Sequence, residues 1–425
     1  MSSLSSIKYQ SFGNEDSLIS LCIWYVSKYV TLPGRGVGGR GFMLMSEFVK
    51  YGHTSVIIAS DANHLAETPR MHAAYQKQEL NGVQIYWVRT LKYKRAKSFL
   101  RILSWLHFEF RLLLMSKSLM SRPDVVVVSS LSLLTIVNGF FLRLRYKCKL
   151  VFEIRDIWPL TLTAEGGYSN ANLFVRFLAW IERLGYRYSD IIVGTMPNLV
   201  EHVNNVVGPG RPVFCIPMGF NPVELNDVAD LPPNYVRDCI PSGKFLVAHV
   251  GSIGISNALD VMFACAASMV DDNGVHFLVV GDGDLRSFYI DKYAHLPNIS
   301  FAPRVSREMV QSLLSLCDLL YFAVHDSEVW SYGQSLNKVL EYMLSGKPIV
   351  ASYTGFPSMI NEAGCGTYVP SGDVEALRSA IQRYAGMDKA CLSEIGARGK
   401  SWILRHRKYS NLAKEYLGIM SDGRS

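Results

Sequence analysis

The residue pattern predicts an α/β fold of two Rossmann-like, parallel-sheet domains that face one another across a cleft. Short runs rich in Val, Ile and Phe alternate with helix-length amphipathic stretches along the whole chain, as parallel strands joined by crossover helices require. At 425 residues the chain exceeds what a single hydrophobic core serves, so two domains are expected. Apolar runs at 245–250 and 275–280 end in Gly251 and Gly281. Open parallel sheets bind ligands beyond the carboxyl ends of their strands, so these glycines border an expected pocket.

In the first half, strands are expected at 19–26, 54–59, 83–88, 124–129, 149–154, 190–195 and 213–217. Helices fall between them, for example over 171–188, where Phe174, Leu178, Ile181 and Leu184 share a face. The uncharged run 125–142 approaches the length of a membrane span, but Ser129, Ser130, Ser132, Asn138 and Gly139 interrupt it. It reads instead as a buried strand at Val125–Val128 with a helix from about Leu131. Pro217 to Gly243, with four further prolines, reads as a linker. A second strand series follows at Phe245–Val250, Val275–Val280, Ile299–Phe301, Leu319–Phe322 and Ile349–Ala351. The expected boundaries are a first domain over 1–216, a second over 217–398, and a C-terminal helix and tail over 399–425.

Hydrophobic residues make up 49% and charged residues 19%, the balance of a globular chain and not of a disordered one. The eight cysteines (22, 148, 215, 239, 265, 317, 365 and 391) are scattered without CxxC or metal-ligand spacing. That argues for a reducing compartment and against a zinc site or disulfide framework. No signal peptide is expected, because Glu15 and Asp16 precede the first apolar run. The net charge of +7 is localised: between Leu91 and Arg122, eight Lys or Arg stand against Glu109 alone, 8 − 1 = +7. Within it Phe99, Ile102, Leu103, Leu106, Phe110, Leu113 and Leu114 fall at helical spacing, widened by Trp105 and Phe108. A basic, aromatic-rich helix over about 92–117 suits an anionic bilayer; a core helix with a solvated basic edge accounts for the same pattern. No nucleic-acid-binding module surrounds it, so a nucleic-acid partner is not expected.

The densest chemistry lies at 331–352. Gly333 and Ser335 read as a loop opening a helix through Val339, Leu340 and Met343, which Gly346 ends before a strand at Ile349–Ala351. A helix that begins at a small-residue loop presents unpaired N–H groups and a positive dipole end, which suit a phosphate. Lys338 and Glu341, three apart, share a side: a cation for a diphosphate and a carboxylate for ribose hydroxyls. The plainer alternative is an ordinary surface pair. Upstream, Gly34-Arg35-Gly36-Val37-Gly38-Gly39 satisfies G-x-G-x-x-G, and Asp61 follows the second strand as a ribose-binding acid would in an oxidoreductase. That fingerprint needs its first glycine directly after the strand, and here seven residues intervene. Close backbone approach to an anion, with Arg40 at the start of the next helix, uses the loop better.

These motifs together resemble glycosyltransferase family 4, the retaining GT-B enzymes, and within it the bacterial branch of WbuB-like L-fucosaminyltransferases. The resemblance rests on Gly38-Gly39-Arg40, Tyr51-Gly52-His53, Pro123-Asp124-Val125-Val126, Glu153-Ile154-Arg155-Asp156-Ile157-Trp158-Pro159, Gly281-Asp282-Gly283, and Asn337, Lys338 and Glu341. It implies an acceptor-binding first domain, a second domain holding a UDP-sugar donor without cofactor or metal, and a C-terminal helix around Lys400–Leu417 crossing back. By position, Glu341 would hold ribose and Lys338 the diphosphate. Gly38, Gly39 and Arg40 would line the phosphate loop with Gly251, Ser252, Gly281, Gly333, Ser335 and Asn337, and Arg304–Val305 would meet the base. Three departures stand out: the first glutamate of the E-x7-E pattern falls on Gly333, the loop Gly251-Ser252-Ile253-Gly254 lacks the usual Arg–Lys pair, and Met218 replaces an Asn before Gly219.

The resemblance further implies transfer to a lipid-linked or oligosaccharide acceptor for surface polysaccharide, at the inner face of the bacterial plasma membrane. Lys338, Arg40 and backbone N–H groups would stabilise the leaving diphosphate. Arg155 and Asp156, at a strand end, are the expected acceptor-side pair; a structural Asp capping the turn before Pro159 is the alternative. Trp158, Trp330 and Tyr332 suit either sugar stacking or core packing. A non-catalytic scaffold of the same fold and a nucleotide-sugar epimerase are the competing functions.

Overall fold

The computed structural model describes residues 20–36, 39–63, 66–93 and 99–421, without the side chain of Glu224. The first sheet comprises β1 (Cys22–Val26), β2 (Thr54–Ser60), β3 (Tyr75–Leu80), β4 (Val83–Val88), β5 (Val125–Ser129), β6 (Lys149–Ile154), β7 (Ile191–Gly194) and β8 (Val213–Cys215). Their spatial order is β3-β4-β2-β1-β5-β6-β7-β8. The connecting helices are α1 (Arg40–Lys50), α2 (Phe99–Leu114), α3 (Thr135–Tyr146), α4 (Leu160–Ala164), α5 (Leu173–Tyr188) and α6 (Leu199–Val207). All pairings are parallel except β3 with β4. That antiparallel hairpin, which the periodicity did not announce, turns on Asn81-Gly82, both with positive φ, the pairing a tight two-residue turn demands.

The second sheet holds β9 (Phe245–Val250), β10 (Val275–Val280), β11 (Ile299–Ala302), β12 (Leu319–Ala323), β13 (Ile349–Ser352) and β14 (Gly366–Val369), ordered β11-β10-β9-β12-β13-β14. Its helices are α7 (Pro233–Cys239), α8 (Asp260–Ser268), α9 (Arg286–Tyr293), α10 (Val310–Ser315), α11 (Asn337–Ser345), α12 (Met359–Ala363) and α13 (Val374–Ala385). Every pairing here is parallel. Strands buried on both faces explain the unbroken apolar runs read from the sequence.

Each sheet separates two cores. In the first domain, α2, α3, α5 and α6 cover one face, placing Phe108, Leu112, Ile136, Leu178 and Val203 against Trp24, Val126 and Phe152. The other face lies under α1 and under α15 (Tyr409–Ser421), whose Leu412 and Tyr416 join Phe42 and Phe48. The crossing-back segment is therefore two helices: α14 (Lys389–His406) packs on α11 of the second domain, and α15 on α1 of the first. Between them, Arg407 carbonyl accepts from Phe220 N–H at 3.0 Å and Phe220 carbonyl from Tyr409 N–H at 3.1 Å. The two chain crossings between domains thus lie side by side.

The linker read at Pro217–Gly243 is mostly second-domain structure. Met218, Phe220 and Leu231 are buried in its core, and α7 begins at Pro233, where a missing N–H costs nothing. Prolines mark helix starts here as well as the connection.

Candidate donor and acceptor cleft

The carboxyl ends of the two sheets meet through the turn Glu328–Tyr332 after β12. Tyr332 is buried in the first domain's core, its ring 5.0 Å from that of His202, which pairs with Glu182 at 2.8 Å. Asn198 N–H donates to Tyr332 carbonyl at 3.0 Å and its side-chain amide to Ser331 carbonyl at 3.2 Å. Gly333 follows at φ +97, and a Cβ there would stand 2.5 Å from Pro197 Cδ. Position 333, where the resemblance asks for a glutamate, is occupied by domain-to-domain packing that leaves no room for a side chain.

Beyond Gly333, the loop into α11 is held from below. Gln334 is buried, donating to Ser358 Oγ at 2.9 Å and accepting Leu336 N–H at 3.0 Å. Ser335 Oγ accepts Met218 N–H at 2.8 Å, while the preceding Pro217 carbonyl accepts from Arg40. One peptide unit of the connection therefore bridges the start of α1 to the loop that opens α11. Neither helix start has a side-chain cap, and neither has an acid in its first turn. Each uncapped start offers free N–H groups and about half a unit of positive charge, the kind of helix end that suits an anion.

Arg40 itself is a correction. Read as a phosphate cation, it is fully buried, with its guanidinium 3.1 Å from Glu153 Oε1, and Glu153 also accepts the Tyr25 hydroxyl at 2.7 Å. It is committed to neutralising a buried carboxylate and to the Pro217 carbonyl, so its fork does not point at a ligand. Gly39, at φ +70, opens α1 beside it. Gly38 lies outside the described residues.

Lys338, half-buried in the first turn of α11, donates to Asn257 Oδ1, and burial pushes its ammonium down to about 8. Asn257 follows Gly251-Ser252-Ile253-Gly254 in the loop after β9, the loop that lacks basic residues. Beneath it lies His249, held down to about 3 by burial and then by Lys338. Glu341 is half-buried one turn on, and its carbonyl accepts from Gln311 at 3.1 Å. Asn337 and Ser252 are exposed.

Gly281 and Gly283 are explained by backbone crowding. A Cβ at 281 would stand 1.8 Å from Gly251 carbonyl, and one at 283 would stand 2.4 Å from Ile253 carbonyl. The loops after β9 and β10 are laced together by Gly251 N–H to Val280 carbonyl and Ile253 N–H to Asp282 carbonyl, each 2.9 Å. Arg304 is exposed past β11, and Val305 packs on the second domain's core.

On the first domain's side, Ser130 Oγ accepts Arg155 N–H at 3.0 Å and donates to Asp156 carbonyl at 3.1 Å, fixing the strand end. Asp156 is exposed, yet burial raises its carboxyl pKa, opposed by Arg155 and Arg101. Glu165, next to α4, is likewise raised by burial and feels His325 and Asp156. His325, past the end of β12, bonds Ile255 carbonyl at 2.7 Å. Glu165 of the first domain thus lies within electrostatic reach of His325 of the second. Sequence reading missed Asn257, Glu165 and His325; the only available signal was that Asn257 and His325 follow strand ends.

The aromatic candidates are structural: Tyr332 as above, Trp330 against the second core and Trp158 against the first, 5.7 Å edge-on to Trp105. Asp61, the oxidoreductase candidate, accepts Thr90 N–H at 2.8 Å and pairs with Lys92 at 2.9 Å, and residues 27–39 separate β1 from α1. A hollow bounded by Arg122, Asp124, Lys147, Lys149 and Met420 lies at the opposite, amino ends of β5 and β6. It is remote from the cleft. Among the described residues, no group of three or more His, Cys, Asp or Glu is placed to hold a metal ion.

Residues 244–386, which carry β9 through α13 and hence Asn257 and α11, match the family model described as Glycosyl transferases group 1. The second domain is a group 1 glycosyltransferase domain. The whole chain is similar in fold to GT-B structures. Sucrose-phosphate synthase from Thermosynechococcus elongatus superposes with TM-score 0.68 at 16% identity, over 94% of this chain and 98% of that one. HepE of Anabaena, in complex with UDP and glucose, gives 0.63 at 14%, over 95% and 100%. WaaG, a glycosyltransferase involved in lipopolysaccharide biosynthesis, gives 0.64 at 16%, over 94% and 100%. No curated protein matched the sequence.

Proposed function

We propose that the chain transfers a sugar, with retention of configuration, from a UDP-linked donor to a lipid-linked or oligosaccharide acceptor, without a metal. The observation that carries this reading is the uncapped start of α11 bearing Lys338, within a group 1 glycosyltransferase domain and tied to the α1 start through Pro217–Met218. The structure of HepE with UDP and glucose, on a similar fold, supports UDP as the nucleotide. That of WaaG supports a surface-polysaccharide acceptor, the setting in which a WbuB-like fucosaminyl transfer would belong.

In this reading the diphosphate sits across the two helix starts and Lys338 Nζ, with Glu341 on the ribose. The bond from the sugar's anomeric carbon to the phosphate oxygen breaks as the acceptor oxygen bonds to the same face. The departing phosphate oxygen takes the acceptor proton, leaving UDP. Charge develops on that oxygen late, where preorganised N–H groups and an ammonium stabilise it most. Asp156 and Arg155 orient the acceptor. Arg40 contributes by fixing α1 and the connection.

Purified protein offered a panel of nucleotide sugars is expected to gain thermal stability with its true donor by mass action. Lys338→Ala should weaken that donor ~10–100-fold, the worth of a charge-assisted hydrogen bond. Slow donor hydrolysis should vanish in Lys338→Ala and Glu341→Ala. If no nucleotide sugar shifts melting and no hydrolysis occurs, the chain is a scaffold; if donor is converted without acceptor, an epimerase.

A further inference from the structure

In the second sheet β9 and β12 lie side by side, yet the chain leaves β9 toward β10 on one side and returns to β12 on the other. Where strand order reverses in this way, the loops at the carboxyl ends part and leave a crevice suited to a ligand. Its two lips are the loop after β9, residues 251–259, and the segment after β12 that runs through His325 toward α11. His325 Nε2 lies 2.7 Å from the Ile255 carbonyl, so it ties one lip to the other. A carbonyl only accepts, so Nε2 carries the hydrogen and donates.

The part of the lip that His325 holds is a single turn of 3-10 helix, Ile255–Asn257. The turn starts in the open, with Ile255 66% exposed, and ends with Asn257 buried. Asn257 N–H donates to the Gly254 carbonyl at 3.0 Å, and Ala258 N–H shares the Ile255 carbonyl with His325, at 3.2 Å. Ala258 closes the turn at φ +43 and ψ +45, a left-handed conformation that an L side chain enters at a cost. Such a residue keeps its conformation only where the surrounding structure holds it there. The same turn sets Asn257 Oδ1 where Lys338 Nζ donates to it. From His325 through the Ile255 carbonyl and Asn257 to Lys338, the contacts are continuous.

We propose that His325 is a positioning residue for the donor diphosphate, fixing the turn that seats Asn257 against Lys338. His325 serves this way only if Lys338 meets the diphosphate, as the proposed function has it. The stretch Gly251-Ser252-Ile253-Gly254 carries no base, so Lys338 brings its cation from the other lip. An ammonium on a four-carbon stem loses rotamer freedom when a ligand holds it, and a seat built in advance removes that loss from binding. Asn257 supplies the seat through a neutral amide oxygen, which leaves the charge for the phosphates. Core packing does not account for the histidine, because the residue is exposed. Glu165 of the first domain lies within its electrostatic reach, so the tie stands where the two domains face one another.

The test is titration calorimetry of the full chain with UDP as the probe, in wild type, His325→Ala, His325→Gln, Lys338→Ala and the His325→Ala/Lys338→Ala double variant. His325→Ala should bind UDP about 5–10-fold more weakly, the worth of one hydrogen bond, with no fall in melting temperature. His325→Gln can set an amide N–H at the same carbonyl and should recover the wild-type affinity. In the Lys338→Ala background, His325→Ala should add nothing, because it acts through that lysine. Unchanged UDP affinity in His325→Ala, no recovery in His325→Gln, or losses that multiply in the double variant overturn the positioning role alone. UDP that fails to bind wild type, or that binds Lys338→Ala as tightly as wild type, overturns the donor reading with it.

Discussion

Single residues decide which charges are available for chemistry. Arg40 and Lys338 both open helices at the cleft, but Arg40 is sealed against Glu153 while Lys338 is held only by a neutral amide. Arg40→Met leaves Glu153 buried and uncompensated, and is expected to cost about 3–5 kcal/mol of stability, read in chemical denaturation. Donor affinity of the folded protein should change little. A large affinity loss without a stability loss would return Arg40 to the phosphate. Lys338 predicts a pH dependence: its ammonium is lowered to about 8, and only the charged form attracts a diphosphate. Donor binding should therefore weaken as pH rises through about 8, accompanied by proton uptake, and Lys338→Arg should flatten the profile in calorimetry across buffers. Stability moves the other way, rising with pH over the same range. The unfolded lysine holds its proton longer, so Lys338 costs stability below about 8 and that cost is relieved as pH climbs toward 10.5.

At the scale of elements, the turn Glu328–Tyr332 joins the two domains. Gly333→Ala forces a side chain into φ +97 and against Pro197, and should cost ~1–3 kcal/mol, visible as a lower melting temperature. Tyr332→Ala removes a ring from the first domain's core and should loosen the domains, raising the radius of gyration in solution scattering and exposing the turn to protease. If scattering is unchanged, this contact does not set the closed arrangement. The strands and the α11 segment were legible in the residues because double burial leaves apolar runs and because glycine ends helices. The β3–β4 hairpin was not read, because β3 alternates weakly and sits at an edge; its one signal, Asn81-Gly82, was passed over. Short β14 was not, since Gly366-Thr-Tyr-Val gains its place only by pairing with β13. For α2, residue spacing identified an apolar stripe without saying which side faces the sheet. Two stripes compete, and packing chose Trp105, Phe108 and Leu112.

Across the whole molecule, the two connections between domains run together at Phe220 and Arg407–Tyr409, and a third tie is the ring of Tyr332 in the first domain's core. Two paired connections permit hinge motion between the domains once the Tyr332 contact is released. A bound donor should favour the closed form, so scattering with a true donor is expected to restore compactness to Tyr332→Ala. A donor without that effect would bind one domain alone.

By itself the residue order determined the parallel α/β class, two sheets, glycines at strand ends and a helix start bearing Lys338 and Glu341. These follow from local periodicity and from backbone geometry that only certain residues adopt. Tertiary structure alone decided that Arg40 is spent on Glu153, that Gly333 is bare because Pro197 leans on it, and that Asn257 meets Lys338. Each of those facts depends on atoms far apart in the chain, and burial and partnership belong to the folded arrangement, not to the residue.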